Sequence, residues 1–368
     1  MKKITLVILI SSFLVGFNLY SADKITVTPY GYVKLDAIYE TGKASPGNYI
    51  LWATDPGESD GLFYVTANQT RLGFKIQGIR FGKFKGYGLV EVDFYGGGAG
   101  GADNKAYNFM RHAFLEITNG DFFIKAGQNW DIISPLNPVT LNYTVNWACG
   151  NIGYRRPQLS LRKDFNSEKT TVSLQCGIFR TITKDYDNDG INDGIASGTP
   201  TLQGRIASKF KFGKSSLQIG ISGHYGKTGG EVDFTTNSIN FDLALVISPK
   251  IKIIGEYFSG KNLGMFLGGI IQEINNNSEI RAKGFYVNLI AALSKKIQLS
   301  IAYGMDDPDD EDLSAGNRAK NSSYFGSLLY TLSSHLKVGL EVSNWETDYL
   351  DLETEKTFRI QHSWILSF

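Results

Sequence analysis

Cysteine, histidine and proline are scarce here, with 2, 4 and 9 residues of 368. Two cysteines cannot build a disulfide scaffold. His112, His224, His335 and His362 are scattered, without the spacing of a metal site. No H-E-x-x-H, G-x-S-x-G or Walker sequence occurs, so none of these hydrolase or nucleotide sites is written in the chain. An excess of one charge is lacking too. The formal net charge is +1, and no nucleic-acid partner is expected. Past residue 22 no stretch is apolar for the roughly 18 residues that a spanning helix needs, and helix signals are nearly absent. What abounds is glycine, 41 residues, with 19 tyrosines and 23 phenylalanines. That composition suggests an all-β chain.

The first residues read as an export signal. Met1-Lys2-Lys3 is a positive start, residues 4–19 are apolar, and Ser21-Ala22 offers a small-residue cleavage site. A signal peptide over 1–22 and an exported domain over 23–368 are expected.

Beyond it, alternation with a period of two recurs over runs of about ten residues. Leu336, Val338, Leu340 and Val342 alternate with Lys337, Gly339 and Glu341. Ile239, Phe241, Leu243, Leu245 and Ile247 stand against Asn240 and Asp242. Short turns such as Asn119-Gly120-Asp121 and Ser248-Pro249-Lys250 alternate with long connections at 41–61, 96–106, 131–152, 182–199, 262–280 and 306–320. The long ones read as polar, Gly-rich or acidic. A soluble β-sandwich would share the alternation but not this asymmetry of connections, which is the pattern of an outer-membrane barrel. The spacing predicts a transmembrane antiparallel up-and-down β-barrel of about 16 strands, with both ends on the short-turn side. That number encloses an aqueous channel. The final strand carries Phe358, Ile360, His362, Trp364, Leu366 and Phe368 on one face. A terminal Phe closing such a face resembles the assembly signal of bacterial outer-membrane barrels.

Residues 64–77 read YVTANQTRLGFKIQ, 85–96 KGYGLVEVDFYG, 110–117 MRHAFLEI and 126–138 AGQNWDIISPLNP. In this order and spacing they resemble the DcaP-like branch of bacterial porins, over the first 140 or so residues of the exported chain. The resemblance implies sixteen strands, a homotrimer, a third outer loop folded into the pore, and passage of small, often anionic solutes. The outer face would meet the lipid bilayer and lipopolysaccharide. The long connection 131–152 is the candidate inner loop, because Ile132, Ile133, Tyr143 and Trp147 make it too apolar for a solvated one; packing against a neighbouring protomer is the alternative.

A diffusion pore needs a polar, charged constriction and no catalytic group. Strand parity sorts the wall into a lipid face and a lumen. Lys34, Asp36, Gln69, Arg71, Lys75, Glu91, Asp93, Arg156, Arg162, Arg205, Lys209, Lys252, Glu256, Lys337 and Arg359 fall on the inner parity. Asp131 heads the inner loop. Strand four resists phasing, since Arg111 and Glu116 have opposite parity. Basic residues concentrated on strands two, six and eight, facing Glu91, Asp93 and Asp131, would set a transverse field with a weak preference for anions; the alternative is that they simply pair with lumenal acids and keep the wall wet.

Asp185, Asp187, Asp189 and Asp193 surround Gly190 in one outer connection. Alternate carboxylates before a glycine turn can wrap one Ca²⁺. The twelfth position is Ala196 rather than Glu, so the pattern is closer to short extracellular calcium loops than to an EF-hand. A solvated acidic loop is the plainer alternative, and no other cofactor is expected. Asp306 to Asp312 reads as a solvated loop. Gly96-x-Gly98-x-x-Gly101 reads as a hairpin loop, because no helix follows to cradle a phosphate. Cys149 and Cys176 are expected as free thiols. The rival function is a non-conducting barrel: an adhesin, a structural barrel or a hydrolase. For a hydrolase, His224 near Ser222 is the only loose candidate pair.

Overall fold

Alternating apolar and polar residues form long strands in the computed structural model, which describes residues 24–55, 57, 61–97, 106–228 and 234–368. The expected export signal at 1–22 lies outside the described residues, as do Gly98 and Gly101. The strands are β1 (Thr26–Glu40), β2 (Leu62–Thr66 continued by Arg71–Phe81), β3 (Phe84–Asp93), β4 (Phe109–Thr118), β5 (Phe122–Trp130), β6 (Arg155–Asn166), β7 (Thr170–Phe179) and β8 (Thr201–Phe212). They continue as β9 (Ser215–Thr228), β10 (Phe234–Ser248), β11 (Ile251–Lys261), β12 (Arg281–Ala292), β13 (Ile297–Pro308), β14 (Arg318–Thr331), β15 (Leu336–Tyr349) and β16 (Glu355–Ser367). Both pieces of β2 pair with β1, so they count as one strand. Each strand is antiparallel to the next, and β16 returns to β1 with Trp364 opposite Leu35. The sheet closes with sixteen strands, as the spacing predicts.

Burial along the strands is inverted relative to a water-soluble sheet. On β10, Ser238, Asn240 and Asp242 are buried, whereas Ile239, Phe241 and Leu243 are 58, 50 and 39 % exposed. The exposed apolar face is that of a barrel whose outside meets hydrocarbon. Among the described residues, three loops enter the lumen and cover the polar face. Residues 131–152 do so as expected. Residues 41–55 and 262–280, in connections expected to be polar, Gly-rich or acidic, also turn inward, the first through a hairpin of Lys43–Pro46 and Ile50–Thr54. Their apolar side chains explain the correction. Ala44, Ile50 and Ala53 pack with Cys149 and Trp345. Leu51 and Ile270 pack with Trp147 and Ala148. Leu263 and Phe266 join Ile133, Ile152 and the wall residue Phe258.

Glycines let the third loop touch the wall. Gly150 has φ +96°, and a Cβ there would lie 2.0 Å from the Phe285 carbonyl oxygen. A Cβ on Gly304 would lie 2.3 Å from the Cys149 carbonyl oxygen. The parity problem of the fourth strand is also resolved. Glu91 pairs with His112 but Val92 with Met110, a bulge that inserts Arg111. The extra residue switches the phase, so Arg111 and Glu116 both turn inward.

The outer face carries a direct test. Leu243→Arg places a charge at mid-strand on the lipid side and should cost about 2–4 kcal/mol. Reversible denaturant unfolding in lipid vesicles measures it.

Candidate functional site: the lumen and its inward loops

Wall carboxylates hold the third loop by its backbone. Glu256 accepts from the Leu136 amide at 2.6 Å and from the Ser134 hydroxyl. Glu341 accepts from the Leu141 amide at 2.7 Å and from the Thr140 hydroxyl at 2.8 Å. Asp306 accepts from the Gly150 amide at 2.6 Å and from the Ile270 amide of another inward loop at 3.1 Å. A loop inside a barrel has no sheet partner for its N–H groups, and a buried unpaired N–H is costly. The carboxylates supply the missing acceptors. Asp306 is therefore fully buried at a strand end, which corrects the reading of the run Asp306 to Asp312 as merely solvated. The far end of that run does reach the surface, where Arg281 bonds to Asp312 at 2.8 Å.

The predicted inner-parity charges divide by exposure. Lys34, Asp36, Glu91, Asp93, Asp131, Arg156, Glu256 and Arg359 are buried. Gln69, Arg71, Lys75, Arg162, Arg205, Lys252 and Lys337 are half-buried, and Lys209 is exposed. The buried charges are neutralised locally or bonded to a loop. Lys34 lies 3.2 Å from Asp36 and also donates to the Leu141 carbonyl at 2.7 Å. Asp131 lies 2.8 Å from Arg156 and accepts from the Gln203 amide at 2.6 Å. Arg111 bridges Glu91 and Asp93, both at 2.8 Å. Arg205 reaches Asp242 at 2.7 Å, and Arg359 pairs with Glu40.

Two cavities among the described residues lie between the third loop and the wall of β1 to β7. One, of about 170 Å³, is lined by Glu116, Lys125, Gln158, Ser160, Arg162 and Gln175 among others. A second, of about 390 Å³, is lined by Arg71, Glu91, Arg111, His112, Tyr143 and Trp147 among others. They share Trp130 and Asn137.

Sequence reasoning missed Arg155. Its guanidinium is buried among aromatic rings, 4.7 Å from Trp130, 4.9 Å from Tyr154, 5.2 Å from Phe109 and 5.7 Å from Trp147. Alternation assigns Arg155 to the lipid side with Pro157 and Leu159, because it gives no sign that the first residue of β6 turns inward. The scattered histidines acquire no catalytic geometry. His224 contacts Ser238 at 2.7 Å and Thr236 at 2.9 Å, so both ring nitrogens are engaged away from Ser222. Both cysteines are free, Cys149 buried and Cys176 on the outer face. Burial pushes the Cys149 thiol above its ordinary range, which disfavours the reactive thiolate. Asp185, Asp187 and Asp193 come together in the outer connection, without the Asp189 carboxylate.

A closed sixteen-stranded barrel with an apolar outside and an inward third loop has the architecture of a porin. Comparison with solved structures places the fold within that class. The chain is similar to the outer membrane channel DcaP of Acinetobacter baumannii, with 21% identity, a TM-score of 0.77, and coverage of 95% of this chain and 99% of that one. It is also similar to an anion-selective porin from Comamonas acidovorans, with 14% identity, a TM-score of 0.61, and coverage of 94% and 100%. A third similar structure is the in-vitro folded OmpT of Vibrio cholerae in trimer form, with 10% identity, a TM-score of 0.57, and coverage of 94% and 100%. No protein-family model and no curated protein sequence matches the chain. The fold is thus DcaP-like, in agreement with the resemblance carried by residues 64–138.

The anchoring carboxylates can be tested one at a time. Glu256→Ala leaves the Leu136 amide without its acceptor, at a cost of about 1–3 kcal/mol. Hydrogen exchange at Leu136 should accelerate by roughly tenfold to a hundredfold, while exchange in the β-strands is unchanged.

Proposed function

We propose that the chain is an outer-membrane porin, exported by residues 1–22, through which small hydrophilic solutes diffuse passively. The observation that carries the reading is the pair of polar cavities sharing Trp130 and Asn137, inside a closed barrel whose outside is apolar. The third loop narrows the lumen, and the wall carboxylates keep it in place. The lipid bilayer surrounds the barrel, and lipopolysaccharide meets its long-loop side. A homotrimer is the assembly proposed, in keeping with the trimer form described for the Vibrio cholerae protein. Passive diffusion requires no catalytic residue and no cofactor.

The selectivity follows from which charges remain wet. The acidic members of the predicted set, Asp36, Glu91, Asp93, Asp131 and Glu256, are all buried. Arg71, Lys75, Arg162, Lys209, Lys252 and Lys337 retain exposure. At the constriction, the side chains of Arg71 and Arg162 are 22% and 36% exposed, against 8% for Glu91. Glu116 and Asp164, beside Lys125 and Arg162, are 21% and 17% exposed, so the unburied charge is mixed with a basic excess, and a narrow pore with such an excess favours anions weakly.

Planar-bilayer recording in a KCl gradient tests both statements. Stepwise conductance with a reversal potential of the anion-preferring sign is expected, and Arg71→Glu with Arg162→Glu should move it toward cation preference. Clear cation preference of the unaltered protein would overturn the selectivity. Absence of conductance would favour a non-conducting barrel, in which the three inward loops act as a plug.

A further inference from the structure

Transport makes no use of the acidic segment between β7 and β8. One carboxylate oxygen each of Asp185, Asp187 and Asp193 lies within 4.8 Å of the other two. Backbone amides of the loop hold one oxygen, Oδ2, of Asp185 and of Asp193. Asp185 accepts from the Gly190 amide at 3.0 Å, and Asp193 accepts from the Tyr186 amide at 3.2 Å. The remaining oxygen, Oδ1, of both Asp185 and Asp193 is buried with no hydrogen-bond partner. Asp193 as a residue is only 2% exposed. Lys184, the basic neighbour of Asp185, is engaged 3.1 Å away with Glu273. Neither Asp185 nor Asp193 has an ion pair among the described residues.

A buried carboxylate oxygen with neither donor nor cation, in a group of three carboxylates, is a costly arrangement. We propose that Asp185, Asp187 and Asp193 bind one calcium ion. The donor set is all oxygen, which suits a hard divalent cation and offers nothing to softer metals. Gly190 at φ +86° and Asn188 at φ +58° wrap the chain around the carboxylates. Calcium accepts such an irregular oxygen shell, completed by water, whereas magnesium demands a near-ideal octahedron.

The site also has a mechanical connection. The Tyr186 hydroxyl bonds to Glu273, in the inward loop 262–280, and its ring packs against Phe234 at 5.8 Å. Calcium would fix the outer segment 182–199 against a loop that fills the lumen. The proposal does not depend on the barrel conducting.

Terbium is the probe of choice, because Tyr186 sits between two ligands and can sensitise its emission. The full chain, folded in detergent and stripped with EDTA, should give saturable luminescence that Ca²⁺ displaces at lower concentration than Mg²⁺. Calorimetry with CaCl₂ should show one site of Kd about 10⁻⁴–10⁻³ M, the range of extracellular calcium modules. The double variant D185N/D187N keeps the backbone acceptors and should weaken both signals at least tenfold, with unchanged heat-modifiable migration. Asp310→Asn, in another acidic loop, should leave them unaltered. No calcium heat up to about 10 mM, well above that range, would overturn the proposal. So would binding retained in D185N/D187N, or displacement by Mg²⁺ at equal concentration.

Discussion

Everything in this barrel depends on the absence of water around its backbone. Hydrocarbon offers no hydrogen bonds, so every strand within it needs two neighbours. The requirement is met by closing β16 onto β1. Closure then forces side chains to alternate between lipid and lumen, which is why β10 exposes Ile239, Phe241 and Leu243 while burying Ser238, Asn240 and Asp242. The apolar exterior is thus a consequence of backbone pairing in lipid, and the polar interior follows from the same constraint.

The interior meets a second constraint. Loops that enter the lumen bring amides with no sheet partner, and the wall brings charges that are removed from bulk water. The two deficits offset one another. Glu256, Glu341 and Asp306 accept from loop amides, and Arg156 neutralises Asp131. Pairing is what makes such burial tolerable, because removing one partner of a buried ion pair leaves the other uncompensated. The charges that remain half-exposed, such as Arg71 and Arg162, are therefore the ones that water in the lumen reaches. Inner parity alone overestimates the number of charged residues left open to the lumen.

Local pattern and distant contact separate cleanly along the chain. Alternation and turn spacing were enough to place sixteen strands and to put Lys34, Glu91, Arg156 and Glu256 on the inner side, because side-chain direction in a strand is a property of two adjacent residues. The apolar content of 131–152 was enough to send that loop inward. The same criterion applied to Ile50-Leu51-Trp52 or to Leu263-Gly264-Met265-Phe266 would have found the other two inward loops. Arg111 escaped because a bulge is decided by the partner strand, through the pairing of Glu91 with His112 and of Val92 with Met110.

By itself, then, the sequence determined a closed barrel, its strand count and the two faces of its wall, all set by periodicity within each strand. Only the tertiary structure decided which charges are buried, which loop amides they bind, that Arg155 sits in an aromatic cage, and that three of four aspartates converge. Those outcomes rest on meetings such as Glu341 with Leu141, 200 residues apart. No local pattern records them, because they exist only once the barrel has closed and the loops have found the space inside it.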